Sequence, residues 1–368
     1  MSPKSLYIHV PFCERKCSYC AFASAVPKKG ERGLYLEALA REFDIRLRGT
    51  RPKLETCYVG GGTPTALSPA QWNSLVATVE KHFDFAPAAE VTVEANPNSL
   101  TAEHLKIWRD WRVTRVSIGV QSFDDAELKL MGRLHDADGA RRAIAAALSC
   151  GFDVGADLIF GLPRQTFRGW GLTLREAAHR GLSHISLYQL TLEEGTPWAS
   201  LDEKLLGDGY ATYRWAQWYL PRRGYAQYEV ANFAVPGRES RHNANYWREG
   251  EYIGAGPAAV SYTAGLRSKN YGSLARYAKS LEEGALPIEE SEELTAEKSA
   301  REAAVLALRM TEGVFAENFI KRYGEKNYRS VCSAMQKFPR ALYEIDNRGI
   351  RLTKKGMRVA NIIWSEII

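Results

Sequence analysis

Apolar residues along this chain recur in two alternating rhythms. Short runs rich in β-branched residues read as strands, and longer stretches with apolar residues three and four apart read as amphipathic helices. A strand-like run at 6–10 precedes a helical pattern over 33–47, where Leu36, Leu39, Ala40, Phe43 and Leu47 share one face. The unit then repeats: 56–59 before 69–82, 90–94 before 101–111, 115–120 before a helix opening at Asp124, then strands at 153–160 and 184–190. Strands joined through helical crossovers pair in parallel, and right-handed connections curl six such units into an open barrel. The expected fold class is therefore α/β, with a partial (β/α)6 barrel.

Past the sixth strand the rhythm changes. An aromatic-rich helical stretch over 209–220 carries Trp215, Trp218 and Tyr219, which suit either a core or the wall of an apolar cleft. Thr295 caps a helical pattern over 296–310, closed by Gly313; others follow at 315–323, ended by Gly324, and at 326–337. A hairpin turning at 346–349 and a last helix reaching 367 complete a mostly helical, winged-helix-like module. The expected division is a barrel with its extension over 1–290 and this module over 291–368.

The 45% hydrophobic and 25% charged shares of these 368 residues are those of an ordinary globular protein with material for a sizeable core. No apolar run approaches the ~20 residues of a membrane span, and the N-terminus lacks a signal-peptide pattern, so a cytoplasmic location without an integral membrane segment is expected. Scattered Cys57, Cys150 and Cys332 agree with reduced thiols. The formal charge of +6 is dispersed, and Lys354, Lys355 and Arg358 alone form no basic stripe, so no nucleic-acid partner is expected.

Reacting groups of parallel barrels sit on loops at the carboxyl ends of the strands. After the first strand come Cys13, Cys17 and Cys20 at C-x3-C-x2-C spacing. Disulfide frameworks need even pairing and small secreted domains, whereas three thiolates on a tight loop can converge on one metal centre. Structural zinc takes four protein ligands, and no fourth cysteine or near histidine follows. In a 4Fe–4S cube three cysteines hold three irons and leave the fourth open to a small molecule. The second strand ends in Gly60-Gly61-Gly62-Thr63, where absent side chains let a ligand approach the backbone, although glycines also make a flexible turn. The third ends at Glu94, the fourth at Gly119-Val120-Gln121 and the fifth passes Asp157. A carboxylate closing an apolar strand is costly unpaired, so a ligand or an arginine is expected beside each.

These stations, in this order, resemble the radical S-adenosylmethionine superfamily and, within it, the anaerobic coproporphyrinogen-oxidase-like branch. The resemblance runs from Tyr7 to the C-terminal helix and implies the same partial TIM-like barrel. It implies S-adenosylmethionine contacts from Tyr7, Gly61, Gly62, Thr63, Glu94, Gln121, Arg133 in Met131-Gly132-Arg133-Leu134-His135, and Asp157, with Tyr19 as an addition. Carboxylates suit ribose hydroxyls or an ammonium, and an arginine suits a carboxylate. Taken alone, Arg133 also reads as half of a surface ion pair.

Two features separate the branch's heme chaperones from its coproporphyrinogen III dehydrogenases. The dehydrogenases carry a further cysteine where this chain has Phe22, and His242-Asn243-Ala244-Asn245-Tyr246-Trp247 resembles the chaperones' H-N-x-x-Y-W motif. The motif implies His242 as an axial ligand of heme iron with Tyr246 and Trp247 against the macrocycle; alone, such a histidine is a hydrogen-bonded loop side chain. Val260 departs from the pattern, since chaperones commonly have histidine there in the glycine-rich segment 254–261. The resemblance thus implies a 4Fe–4S cluster, S-adenosylmethionine and heme as ligands, acceptor hemoproteins including respiratory ones as partners, and scope for a homodimer and peripheral membrane contact. The alternative it leaves open is an oxygen-independent coproporphyrinogen III dehydrogenase, or another enzyme generating a 5'-deoxyadenosyl radical.

Overall fold

The computed structural model describes residues 3–368, which fall into two compact units. One runs up to Gly209 and includes Glu251–Glu292; the other joins Tyr210–Gly250 to Glu293–Ile368. The sequence pattern groups 210–250 with the barrel, whereas the structure groups it with the C-terminal elements. The reason is backbone pairing that no periodicity signals: Val230 N–H donates to Arg309 O at 2.9 Å and Thr311 N–H to Tyr228 O at 3.0 Å.

The first unit is built on β1 (Ser5–Val10), β2 (Lys53–Gly61), β3 (Asp84–Ala95), β4 (Arg115–Gln121), β5 (Asp153–Phe160) and β6 (His184–Gln189). These strands lie side by side in chain order, all neighbours parallel. The returns run through α1 (Glu31–Leu47), α2 (Pro69–His82), α3 (Ala102–Trp111), α4 (Asp125–Met131), α5 (Ala137–Ser149) and α6 (Phe167–Ala178). This is the expected α/β partial barrel. The outer edge of β1 is covered by a parallel strand, Ile253–Ala255, from late in the chain.

Local sequence explains where the helices begin. Ser68 and Gln71 form a reciprocal capping box around Pro69, and Thr101, Asp124, Asp136 and Thr166 each accept a first-turn N–H. Alternation along the strands sorts their faces: Leu6, Ile8 and Val10 are fully buried, while Tyr7 and His9 point to the other side, toward the lumen. Trp72, Trp108 and Trp170 from α2, α3 and α6 fill the layer between sheet and helices.

One fully buried carboxylate fastens the late segment to the barrel. Glu42 of α1 accepts from Arg46 Nη2 at 2.7 Å, Gly256 N–H at 2.9 Å, Asn270 Nδ2 at 2.8 Å and Tyr277 OH at 2.5 Å. Every partner sits within the first unit.

The second unit has a small antiparallel sheet, Val314–Phe315 beside Gly349–Leu352 beside Tyr343–Asp346, set among helices Ala296–Arg309, Ala316–Tyr323, Glu325–Gln336 and Ala360–Ile367. Leu308, Met335, Ile350, Leu352 and Ile363 share its core. The helices and hairpin match the winged-helix-like module expected there.

Replacing Glu42 by alanine removes the shared acceptor of Arg46 and three other donors in a dry site. The expected loss is about 3–5 kcal/mol of unfolding free energy, read by denaturant titration, with Glu42→Gln losing less because an amide still accepts two of the four bonds.

Candidate functional site

The carboxyl ends of the barrel strands open onto a cavity of about 370 Å3. Cys13, Cys17 and Cys20 lie on its wall. Their loop is closed at its base by two backbone bonds, Cys13 N–H to Ala25 O and Ala25 N–H to Pro11 O, both 3.0 Å. Ser18 N–H donates to Met131 O at 3.1 Å, which pins the loop's middle to the end of α4. Cys13 Sγ stands 3.4 Å from Thr63 Oγ1, and Cys17 Sγ accepts from Arg133 Nη1 at 3.5 Å.

Crowding rather than flexibility explains the glycines after β2. Gly61 has φ +112°, and a Cβ there would meet His9 Nδ1 at 2.7 Å; on Gly62 it would meet Phe12 O at 2.6 Å. Nothing in the sequence pattern singles out His9. Its ring is 7% exposed, with Nε2 at 2.8 Å from Ala23 O and Nδ1 at 2.9 Å from Tyr7 OH. A carbonyl only accepts, so Nε2 carries the proton and Nδ1 accepts from the tyrosine. Burial lowers the His9 pKa and keeps the ring neutral.

Glu94 closes β3, accepting from Tyr58 OH at 2.8 Å and Gly61 N–H at 3.1 Å. Burial, then the nearby Asp157, raises its pKa to about 7. Burial also raises that of Asp157, against opposing hydrogen bonds from Ser186 and Ser117 and the charge of Arg133. Ser117 Oγ sits 3.2 and 3.1 Å from the two Asp157 oxygens. Arg133 Nη2 donates to Gly119 O at 2.8 Å and also to the Asn96 side-chain oxygen. Its Nε is buried with no partner among the described residues. Gln121 ends β4 at φ +64°, where the pairing with β5 slips register.

The structure thus brings Cys13, Cys17, Cys20, Tyr19, Gly61, Gly62, Thr63, Glu94, Gln121, Arg133 and Asp157 onto one cavity wall. Tyr7 is not on that wall; its hydroxyl serves His9 instead. His242 lies in the other unit and is turned inward rather than presented to a ligand. It is 1% exposed, its Nε2 stands 2.8 Å from Tyr246 OH, and burial lowers its pKa to about 3. Val260 opens a short strand whose carbonyl would stand 1.9 Å from a Cβ on Gly254, so that close approach requires the glycine. Asn96, Ser117 and Tyr188 also line the cavity and were missed. Period-two alternation offered the signal for Ser117, which shares a strand face with Gly119 and Gln121.

A parallel barrel with three cysteines on the loop after β1 defines a class, and residues 7–177 match the family model of the Radical SAM superfamily. The chain is 33% identical to the heme chaperone HemW of Bacillus subtilis over 99% of both chains. It is 34% identical to that of Lactococcus lactis, over 100% of this chain and 97% of the relative. The fold is also that of the coproporphyrinogen III oxidase HemN of Escherichia coli, with a TM-score of 0.87, 23% identity, and coverage of 99% of this chain and 90% of that one. The chain belongs to the HemW-type family of radical SAM proteins.

Membership implies a 4Fe–4S cluster and S-adenosylmethionine, and the residues present fit both. Among the described residues no three metal-binding side chains are arranged to grip a single ion, while Cys13, Cys17 and Cys20 share one cavity wall. The unpartnered Arg133 Nε, the acidic pair and the glycine turn, which has no room for a Cβ, suit a zwitterionic ligand pressed against backbone.

Glu94 makes the ligand-free protein sensitive to pH. The folded chain holds its proton up to about pH 7 and the unfolded chain only to about 4.5, so stability falls as pH rises through that interval. The loss is at most about 3 kcal/mol, because Glu94 is only partly buried on the cavity wall. Unfolding free energies of wild type relative to Glu94→Gln, compared at pH 5 and pH 8, are expected to drop accordingly; a constant difference would place Glu94's ionisation in its ordinary range.

Proposed function

We propose that this protein holds a 4Fe–4S cluster and S-adenosylmethionine at the barrel mouth, and binds heme as cargo for transfer to acceptor hemoproteins, in the cytoplasm or at a membrane surface. The observation that carries the first part is the convergence of three thiols, an acidic pair and Arg133 on one cavity. Cys13, Cys17 and Cys20 would hold three irons. Arg133 would pair with the ligand's carboxylate, Glu94 and Asp157 would take its hydroxyls or ammonium, and Gly61, Gly62, Thr63, Gln121 and Tyr19 would border it. Tyr7 would act at one remove, by fixing His9. When bound, this pair of groups supplies reductive cleavage of a carbon–sulfur bond.

The heme part is supported by end-to-end similarity to relatives named heme chaperones and by Phe22 at the place of the dehydrogenases' extra cysteine. His242 is the proposed axial ligand. Its burial favours the neutral imidazole that coordination needs, but ligation requires Nε2 to give up Tyr246 and the helix Arg241–Trp247 to open.

The test is anaerobic cluster reconstitution followed by heme titration, with visible spectra and 5'-deoxyadenosine recorded on one sample. A defined heme spectrum, lost in His242→Ala, with no 5'-deoxyadenosine above background, is the expected result. Unchanged heme binding in His242→Ala removes that ligand assignment. Abundant 5'-deoxyadenosine on adding coproporphyrinogen, without a heme spectrum, replaces the carrier by a radical enzyme.

A further inference from the structure

The loop carrying the cysteines continues into Ala21-Phe22-Ala23-Ser24-Ala25-Val26, and every apolar member of that run is exposed. Phe22 is 67% exposed and Val26 57%. Single apolar residues on a surface are ordinary, but a contiguous run beside a ligand cavity is not. Nor is this a slack loop. His9 Nε2 donates to Ala23 O at 2.8 Å, and both backbone bonds of the loop's base end on Ala25. A Cβ on Gly62 would come within 2.8 Å of Ser24 Cβ, so the run lies directly on the glycine turn. It forms a rigid apolar ledge at the mouth of the cavity, whose wall includes Ala21, Phe22 and, from the end of β6, the 46% exposed Tyr188.

Cations border the ledge. Lys16 Nζ donates to Phe22 O at 3.2 Å, Arg15 also lines the cavity, and Lys28 and Lys29 are exposed where the run ends. A flat apolar body with anionic substituents at its edge complements such a surface: the rings cover Phe22, and carboxylates reach the lysines. A zwitterion such as S-adenosylmethionine fits the cavity but offers nothing for the ledge outside it. A porphyrin bearing propionates has both features.

We propose that the ledge at 21–26, centred on Phe22 with Lys16 as its anion partner, is a docking surface for the heme macrocycle, which then caps the S-adenosylmethionine cavity. This rests on the heme-carrier reading above and adds where the cargo first lands. A cap has a consequence that a remote heme site lacks. Heme on the ledge obstructs the ligand beneath it, so heme slows the exchange of S-adenosylmethionine, and the two ligands are thermodynamically linked if they touch.

The test uses the full chain with its cluster reconstituted, hemin as the probe, and Phe22→Gln and Lys16→Glu as variants. Both side chains are exposed, so the fold is expected to match wild type, and because Lys16 adjoins Cys17 and its charge acts on Cys20, hemin affinities are compared at equal measured cluster content. Hemin affinity is expected to fall roughly tenfold in Phe22→Gln, from loss of the buried ring face, and several-fold in Lys16→Glu. Dissociation of labelled S-adenosylmethionine is expected to slow on hemin addition in wild type and to remain fast in Phe22→Gln. If both variants bind hemin like wild type and exchange is indifferent to hemin, the ledge is not the docking surface, whatever His242→Ala does. Loss of hemin binding in His242→Ala alone would then leave the carrier reading standing and the ledge refuted. Wild type that binds no hemin overturns both. Variants that alter self-association rather than hemin binding would make the ledge an interface between copies and refute its assignment to heme.

Discussion

One imidazole sets the geometry of the barrel mouth. His9 has its two nitrogens committed in opposite senses, Nε2 donating to the cysteine loop at Ala23 and Nδ1 accepting from Tyr7. Its backbone carbonyl accepts from Tyr35 OH of α1 at 3.0 Å, and a Cβ on Gly256 would come within 2.5 Å of the same oxygen. The cysteine loop, the glycine turn, α1 and the strand on the far edge of β1 therefore share one reference point. A side chain that could not both donate and accept would release the loop on one side or the tyrosine on the other. Because protonation would turn an acceptor into a second donor facing a hydroxyl, the ring's depressed pKa is part of the arrangement.

Around that fixed frame the cavity is electrostatically unfinished. Burial raises the cost of both Glu94 and Asp157, and Asp157 adds to it at Glu94; the direct hydrogen bonds that relieve them come from neutral donors, Tyr58 and a backbone N–H for one and serines for the other, with Arg133 acting on Asp157 through its charge. Arg133 could satisfy one of them, yet its hydrogen bonds are spent on Gly119 O, Asn96 and a thiol. Protein interiors seldom leave such groups partly served without a ligand to complete them. A bound cation removes the repulsion between the acids, and a bound carboxylate uses the remaining guanidinium edge. One zwitterion does both.

What the sequence made legible follows from what is local. Period-two and period-3.6 patterns, helix caps such as Ser68 and Thr101, and the odd residues closing each strand are all encoded within a few positions, so the barrel and most of its cavity wall could be read directly. His9, Asn96 and Ser117 could not, because a buried polar residue is recognised by its tertiary partner, and those partners lie elsewhere in the chain. The same limit misplaced 210–250, whose allegiance is decided by backbone bonds to 309–311. It also hid the orientation of His242: a six-residue motif names the imidazole but not the side of the helix on which it packs.

As proposed contacts for heme, His242 and the ledge would make opposite demands. Ligation by a side chain that is 1% exposed demands that a capped helix open and that a hydrogen bond of about 1 kcal/mol be exchanged. Both steps slow capture as well as release. An apolar ledge already ordered by His9 and Ala25 asks for no rearrangement, so contact with it is fast and its strength is limited by one ring and a few methyl groups.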